Sequence, residues 1–197
     1  MYENKIITEP KWKSWIVQTT TPLFTPDQCN QIIASGRAQK PQTAQVGMNK
    51  PGGGTDTKKR VTTISWIPFQ EMGHMYQDLN SFIQKANENH FGFGDIQVTE
   101  NAQFTEYPEG GFYDWHMDCD VNMEHEPPVR KISMTVLLND PSEFEGGHLE
   151  LMAPGKFAEL KQGHAICFAS FLNHRVNPVT RGMRQSLVVW FGGKAFR

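Results

Sequence analysis

The sequence is poor in three features: paired cysteines, long apolar runs and an excess of charge of one sign. Its cysteines are Cys29, Cys119 and Cys167, and the absence of a C-x-x-C pair argues against a zinc knuckle or a disulfide framework. No run of about 18 apolar residues is present, so no membrane-spanning helix is expected. The net charge of −2 gives no electrostatic basis for nucleic-acid binding. With no signal-peptide pattern at the start, we expect a soluble, cytoplasmic protein.

The composition is that of an ordinary globular protein. Of the 197 residues, 38% are hydrophobic, 20% charged and 11% aromatic, which suits one domain over residues 1–197 with a well-filled core. Within this domain we expect a supporting part over residues 1–95, made of helices and a strand. An all-β core is expected over residues 96–193.

Two helices are predicted in the supporting part. The Thr-Pro-Asp-Gln segment at residues 25–28 combines a capping threonine, a proline at the first helical position and a glutamine that completes a capping box. This helix is expected to run to about Ser35 and to stop at Gly36. A strand over 61–67 follows, and then a second helix over 69–87, whose apolar residues recur at helical spacing.

Short β-type runs separated by turn residues fill the rest of the chain. They are predicted at residues 96–107, 112–118, 130–138, 147–152, 157–160, 164–169 and 184–191. Many short strands punctuated in this way are typical of an antiparallel sandwich or jelly roll. With two helices in front of them, they predict an α+β fold in which the N-terminal helices buttress one sheet.

The segment His116-Met-Asp118 carries the most specific chemical signal. On a strand, residues two apart face the same side, so this imidazole and this carboxylate would point into one cavity. His174, expected at the end of a strand, would supply a second imidazole. Two histidines and one carboxylate form the facial triad that suits iron(II) and leaves coordination positions open. We therefore predict that His116, Asp118 and His174 bind the metal and form the catalytic centre.

The remaining histidines are interpreted as structural or as solvated loop residues. They are His74, His90, His125, His148 and His164.

Arg184 follows His174 by ten residues and is expected on the next strand. A 2-oxoglutarate molecule that chelates iron through its 1-carboxylate and keto oxygen needs a cation for its far carboxylate, and a guanidinium binds a carboxylate through two hydrogen bonds. A zinc hydrolase with the same three ligands has no use for such an anion anchor. Each residue alone is common in structural roles, but their conjunction in an all-β half predicts a dioxygenase site.

Four sequence blocks, in this order, resemble one known family. They are Y-x-x-G-x-x-Y-x-x-H-x-D at residues 107–118, Ser-Met-Thr-Val-Leu-Leu-Asn-Asp-Pro at 133–141, Glu-Gly-Gly-His-Leu at 145–149 and His-Arg-Val-Asn-Pro-Val-Thr-Arg-Gly-Met-Arg at 174–184. Residues from about 96 to 193 look like the double-stranded β-helix (jelly-roll, cupin-like) core of prolyl 4-hydroxylase-type Fe(II)/2-oxoglutarate dioxygenases. The pattern is most similar to that of bacterial PKHD-type hydroxylases.

The resemblance implies Fe(II), 2-oxoglutarate and O₂ as cofactor and co-substrates, with ascorbate as a further cofactor. It implies that His116, Asp118 and His174 ligate the iron and that Arg184 binds the 5-carboxylate of 2-oxoglutarate. It further implies that the co-substrate pocket is lined by Tyr107, Leu149, Val176 and Trp190.

The sequence departs from the animal oxygen-sensing prolyl hydroxylases at one pocket position. Those enzymes place a second tyrosine on the strand that here reads Val136-Leu137-Leu138, so the co-substrate carboxylate has one hydroxyl donor fewer. Tyr107 or Thr135 would compensate for it.

The leading functional hypothesis is a hydroxylase of a prolyl residue in a peptide or protein, acting as a monomer or homodimer. A second reading keeps the chemistry but takes a small metabolite or free amino acid as substrate. A third is a cupin-like metal-binding module without catalysis, and a fourth is a zinc hydrolase. The glycine-rich segment 49–59 is expected to be either a lid over the substrate or a surface loop without that role.

Overall fold

The structure is a computed structural model, and it describes residues 14–43, 57–119, 128–152 and 159–194. Its helices are α1 (Pro26–Ala38) and α2 (Gly73–Ala86), with a π-helical turn at Asn87–Phe91 and a 3₁₀ turn at Pro141–Glu143. The strands are β1 (Ile16–Gln18), β2 (Gln42–Thr43), β3 (Arg60–Val61), β4 (Thr63–Ile67), β5 (Gln97–Val98), β6 (Ala102–Tyr107), β7 (Phe112–His116), β8 (Val129–Leu137), β9 (Phe144–Gly146), β10 (Leu149–Leu151), β11 (Ala165–Ala169), β12 (His174–Val176), β13 (Val179–Gly182) and β14 (Arg184–Gly193).

The strands form two main antiparallel sheets. In the large sheet the order is β1-β11-β8-β14-β6-β4-β2, and β5 pairs with β14. The small sheet has the order β10-β12-β7-β3, while β13 and β9 form a separate pair. Mostly antiparallel strands with two helices agree with the predicted α+β class and are consistent with a double-stranded β-helix.

Residues of both helices and of the large sheet belong to one buried cluster. On β8, alternate residues Ile132, Met134 and Val136 join this cluster, because successive side chains of a strand point to opposite faces. The opposite face of β8 carries Ser133, whose hydroxyl contacts Asp118. The helix residues in the cluster include Cys29, Ile32, Met75, Leu79 and Ile83. The large sheet thus separates an apolar layer from a polar interior.

Helix α1 begins as predicted but ends later. Thr25 accepts a hydrogen bond from the backbone N–H of Gln28, and the Gln28 side chain accepts one from the backbone N–H of Thr25, so the capping box is present. The expected stop at Gly36 is wrong, since the helix continues to Ala38. Gly36 instead lies against Phe104, where a Cβ atom would come within 2.3 Å of the phenyl Cγ. The glycine permits a close helix–sheet contact rather than ending the helix.

Several other predicted boundaries need correction. The second helix begins at Gly73 rather than at residue 69, and a π-helical turn continues it to Phe91. The predicted strand 61–67 is interrupted at Thr62, which is buried and donates its hydroxyl to the Glu106 carbonyl. The strand expected over 96–107 divides into β5 and β6, and the one over 147–152 is replaced by β9 and β10.

Two short strands in the last quarter of the chain were not predicted. They are β12 and β13, three and four residues long, and such lengths give no clear alternation in the sequence. Of the strand predicted at 157–160, the first two residues lie outside the described residues, and residues 159–160 are not in a strand. Within the described ranges, no helix combines the length and apolar character needed to cross a membrane.

The contact between Gly36 and Phe104 predicts that alanine at position 36 destabilises the protein, which is opposite to the usual effect of this substitution in a helix. Replacing a helix glycine with alanine ordinarily stabilises the helix by up to about 1 kcal/mol. Gly36→Ala should instead lower the free energy of unfolding by about 1–3 kcal/mol, because the new methyl group overlaps the Phe104 ring. Chemical denaturation measures this difference.

Two variants control this experiment. Gly94→Ala should be nearly neutral, since a Cβ there meets no atom within 4 Å. Phe104→Ala, which removes the ring that the new methyl group overlaps, should cost less stability in the Gly36→Ala background than in the wild type. A Gly36→Ala protein as stable as the wild type would contradict the packing described here.

Candidate metal centre

The pairing of β7 with β12 brings two distant histidines together. His116, the last residue of β7, is the direct register partner of His174, the first residue of β12. Directly opposed residues of an antiparallel pair have Cβ atoms about 4.5–5.5 Å apart, and the two imidazole centroids lie 4.1 Å apart. The two rings can therefore serve one ion.

The backbone fixes the orientation of both rings. Nδ1 of His116 lies 2.8 Å from the Asp114 carbonyl oxygen, and Nδ1 of His174 lies 3.0 Å from the Leu172 carbonyl oxygen. Because a carbonyl only accepts, these contacts place the proton on Nδ1 in each neutral ring. The Nε2 lone pairs are then available to a metal, and this is the usual orientation for a ligating histidine.

Asp118 completes the group from a bend after β7. The expectation that it stands on the same strand as His116 is wrong, since β7 ends at His116. Its backbone N–H donates to the Ser170 carbonyl at 3.0 Å, which holds the turn against the segment before His174. One carboxylate oxygen, Oδ1, lies 3.7 Å from Nε2 of His116, and the other lies 3.5 Å from Nε2 of His174. The three ligand atoms lie within 4.8 Å of one another.

The electrostatics of the group favour metal binding. Burial and the neighbouring His174 lower the pKa of His116 to about 4. Burial raises the pKa of Asp118, but His174, His116, Arg130 and the Ser133 hydrogen bond outweigh it and bring that pKa to about 2. At neutral pH the site therefore offers a neutral His116 ring and a carboxylate, as a metal requires. Two nitrogens and one oxygen are a donor set that fits iron(II).

Arg184 is a buried cation without a carboxylate partner among the described residues. It is 3% exposed, and its Nη1 donates to the Ser186 hydroxyl at 3.1 Å. Burial lowers the pKa of Arg184, yet a guanidinium stays charged in proteins. Its register partner on β6 is Tyr107, whose ring centroid lies 5.4 Å from the guanidinium carbon. A buried charge left in this way is costly unless a ligand anion pairs with it.

A cavity of about 480 Å³ lies beside Arg184, and Leu137 and Leu149 line it. Leu149 is the register partner of Val176, so these two predicted pocket residues meet across β10 and β12. Leu137 stands on the strand that lacks a second tyrosine, and Thr135 lies two residues before it on the same face of β8 and is buried. Gly147, also in the wall, has φ +63°, and a Cβ there would lie 2.9 Å from Cδ of Arg184. Gly147 thus leaves room for the arginine stem.

Trp190 lies on β14, as Arg184 does. It is six positions further along, on the same face of the strand and about 20 Å away along it. Its register partner on β8 is Ser133, which contacts Asp118. The guanidinium carbon of Arg130 lies 3.8 Å from the centroid of the Trp190 ring. Arg130 itself donates two hydrogen bonds to the Glu100 carboxylate.

A second arginine–aromatic pair flanks the histidines, and sequence reasoning missed it. The Tyr113 ring lies nearly flat on His116, with centroids 3.5 Å apart and 17° between the planes. The guanidinium carbon of Arg60, the register partner of Tyr113, lies 4.3 Å from the Tyr113 centroid. Arg60 is 7% exposed and forms no ion pair with a described residue. The only sequence signal was the tyrosine three residues before His116.

Some expectations for other residues also need correction. His174 opens its own strand rather than ending one, and β13 intervenes before Arg184. His148 precedes β10 instead of standing in a strand, and it is exposed, as expected for a residue outside the site. His164 contacts Thr19. His125 and residues 49–56 of the predicted lid lie outside the described residues.

Comparison with known proteins shows what this chain is similar to. Residues 102–192 match the model of the family described as 2OG-Fe(II) oxygenase superfamily. The matched range contains His116, Asp118, His174 and Arg184. A PKHD-type hydroxylase of Acidovorax ebreus is 33% identical over 93 residues, which are 45% of this chain and 41% of the relative. The chain thus spans about two-fifths of the length of that relative.

Solved structures show the same fold over most of the chain. A Pseudomonas putida prolyl-4-hydroxylase has a TM-score of 0.68 and 22% identity, and the likeness covers 92% of this chain and 94% of that one. A viral collagen prolyl hydroxylase of Paramecium Bursaria Chlorella virus-1, solved in complex with 2OG, has a TM-score of 0.70 and 17% identity. This likeness covers 91% of this chain and 97% of the viral one. A Trichoplax adhaerens prolyl hydroxylase, solved with a peptide fragment of hypoxia inducible factor, has a TM-score of 0.66 and 18% identity. This likeness covers 91% of this chain and 84% of that one.

The shifted pKa of His116 gives a pH prediction for the metal-free protein. As the pH falls from 6.5 to about 4, the unfolded chain protonates this histidine and the folded chain does not. Above pH 6.5 the titration of His116 therefore does not change the free energy of unfolding. Below pH 6.5 it lowers the free energy of unfolding progressively, by up to about 3 kcal/mol.

Urea denaturation at pH 6.5 and pH 5 in the presence of a chelator measures this effect. His116→Gln should lose less stability than the wild type over this interval. Equal losses in the two proteins would show that the buried imidazole titrates normally.

Proposed function

We propose that this chain is an Fe(II)- and 2-oxoglutarate-dependent dioxygenase that hydroxylates a prolyl residue in a peptide or protein. In this proposal His116, Asp118 and His174 hold the iron and form the catalytic centre. Arg184 binds the 5-carboxylate of 2-oxoglutarate, and Tyr107, Leu149 and Val176 line the co-substrate pocket. Trp190, beside Ser133, lines the interior at the metal end.

One observation carries the proposal: a three-ligand metal site and a buried guanidinium without a carboxylate partner among the described residues occur in the same oxygenase core. A hydrolytic metal site needs an open coordination position but no buried cation. A metal-binding module without catalysis likewise gains nothing from an unpaired Arg184, which costs stability. A dicarboxylate co-substrate uses both features at once, since one end meets the metal and the other meets the arginine.

The protein's own residues contribute binding, orientation and exclusion of water. The paired strands hold His116 and His174, and their Nδ1 contacts keep each Nε2 directed toward the metal position. Arg184, fixed by Ser186, orients the co-substrate through a charge-assisted bond that is strong in a buried setting. When bound, iron(II), 2-oxoglutarate and O₂ supply the oxidising chemistry that inserts an oxygen atom into a C–H bond.

An arginine beside the metal residues supports a peptide substrate. The Arg60 guanidinium lies over the Tyr113 ring, which stacks on His116, and it forms no ion pair with a described residue. Guanidinium N–H groups donate to the carbonyl oxygens of a peptide backbone. The Trichoplax relative in the fold comparison was solved with a peptide.

The remaining parts of the proposal concern the organisation of the chain. We infer that residues 1–197 form one domain and that α1 and α2 support the large sheet through their shared apolar cluster. Ascorbate as a further cofactor, a cytoplasmic location and a monomeric or homodimeric state stay predictions.

The role of Arg184 is tested by Arg184→Met, which keeps an apolar stem and removes the charge. Truncating one partner of a buried charge pair costs about 2–5 kcal/mol, so the Kd for 2-oxoglutarate should rise about 30-fold or more. Titration calorimetry on the Mn(II)-loaded protein measures it. Arg181→Met, on an exposed arginine paired with Glu145, is the matched control and should bind as the wild type does. An unchanged Kd in Arg184→Met would remove this residue from the site.

The substrate class is tested with a library of proline-containing peptides. Enzyme, Fe(II), 2-oxoglutarate, O₂ and ascorbate should yield peptides that carry one added oxygen atom, detected by mass spectrometry. Asp118→Glu should be inactive, because one methylene displaces the carboxylate. Succinate release with free amino acids or metabolites, but never with peptides, would contradict the peptide assignment. Metal binding without any consumption of 2-oxoglutarate would indicate a non-catalytic module.

A further inference from the structure

The two oxygens of the Asp118 carboxylate have different surroundings. Oδ2 accepts a hydrogen bond from the Ser133 hydroxyl at 2.7 Å. Oδ1 accepts no hydrogen bond from any described residue, and Nε2 of His116 lies 3.7 Å from it. The protein therefore fixes Oδ2, which also lies 3.5 Å from Nε2 of His174, with a hydrogen-bond donor, and gives Oδ1 no donor among the described residues.

The direction of the Ser133 hydrogen bond follows from its partners. Ser133 Oγ lies 2.9 Å from Ser170 Oγ, and both side chains are buried, at 1% and 0% exposure. An ionised carboxylate only accepts, and a hydroxyl has one proton. Ser133 must therefore donate to Asp118, and Ser170 must donate to Ser133. The two hydroxyls form a chain that ends on Oδ2.

The backbone holds Ser170 in place at both of its polar groups. Its carbonyl accepts the N–H groups of Asp118 and Cys119, each at 3.0 Å, and its own N–H donates to the Lys131 carbonyl at 2.9 Å. Ser170 thus fixes both the backbone of Asp118 and, through Ser133, the side chain.

We propose that Ser133, locked by Ser170, is a positioning residue that restricts Asp118 to one-oxygen coordination of the metal. A carboxylate can bind a metal through one or both oxygens. A six-coordinate ion held by three protein atoms keeps three positions open, which 2-oxoglutarate and O₂ require together. A second Asp118 oxygen would close one of them. The inference rests on the proposed function and names a residue that sets the number of open positions.

The prediction concerns the hydration of a bound probe ion. Ser133→Ala frees Oδ2, so the carboxylate binds through both oxygens. With Mn(II) bound to the full chain, exchangeable water ligands should fall from three to two, which lowers the water-proton relaxation per bound ion by about a third. Mn(II) affinity should stay within about threefold or rise, while the kcat for 2-oxoglutarate consumption falls about 10-fold or more.

Two serine variants complete the experiment. Ser142→Ala, at an exposed turn residue, should match the wild type in every measurement. Ser170→Ala keeps the Ser133 hydroxyl but removes its lock, so its relaxation and kcat should fall in the same direction by a smaller amount. This variant tests the inference even if Ser133→Ala does not fold.

The outcomes separate the inference from the proposed function. A wild-type chain that binds no Mn(II) at the triad overturns the proposed function and the inference with it. Normal wild-type hydration and an unchanged value in Ser133→Ala overturn the inference alone. A Ser133→Ala protein that loses Mn(II) affinity about 10-fold or more, with unchanged hydration of the ion it does bind, also overturns it.

Discussion

The antiparallel register of β7 and β12 is the constraint on which the site depends. It sets His116 opposite His174, and a shift of one residue would turn one imidazole to the other side of the sheet. The hydrogen bonds from Asp118 and Cys119 to Ser170 extend this register beyond the end of β7. The three ligands are therefore placed by backbone pairing, and side-chain packing only refines their orientation.

The polar groups of the site can be buried because most of them have a hydrogen-bond partner within the protein. The two backbone carbonyls accept from the histidine Nδ1 atoms, and Ser133 donates to one oxygen of Asp118. Arg184 has Ser186 as a partner but no carboxylate among the described residues. An apolar cluster on the other face of the large sheet supplies the burial that offsets these polar costs.

The sequence was most informative where chemistry is carried by residue type. The facial triad, the distal arginine and the capping box of α1 each follow from a local pattern, and the structure brings the three metal-site residues together. Register was not predictable, because the short strands β12 and β13 give too few residues to show alternation. Gly36 was misread as a helix end, since its contact with Phe104 joins residues far apart in the chain.

Serine and arginine residues around the site were missed for a related reason. Ser133, Ser170 and Arg60 belong to residue types that are common throughout proteins, and their importance comes from the partner that each meets in the folded chain. Trp190 stays a predicted pocket residue: it lies six positions along β14 from Arg184, and its register partner is Ser133. The strand predicted over residues 184–191 contains both residues, so counting along it already gives this separation.

The most direct test of the account is the stoichiometry of ferrous ion bound under anaerobic conditions. Equilibrium dialysis of the wild-type chain should give one Fe(II) per molecule, and single alanine substitutions at His116, Asp118 and His174 should each abolish stoichiometric binding. If any of the three variants retains one tightly bound ion per chain, the three side chains do not form a single metal centre, and the account is wrong.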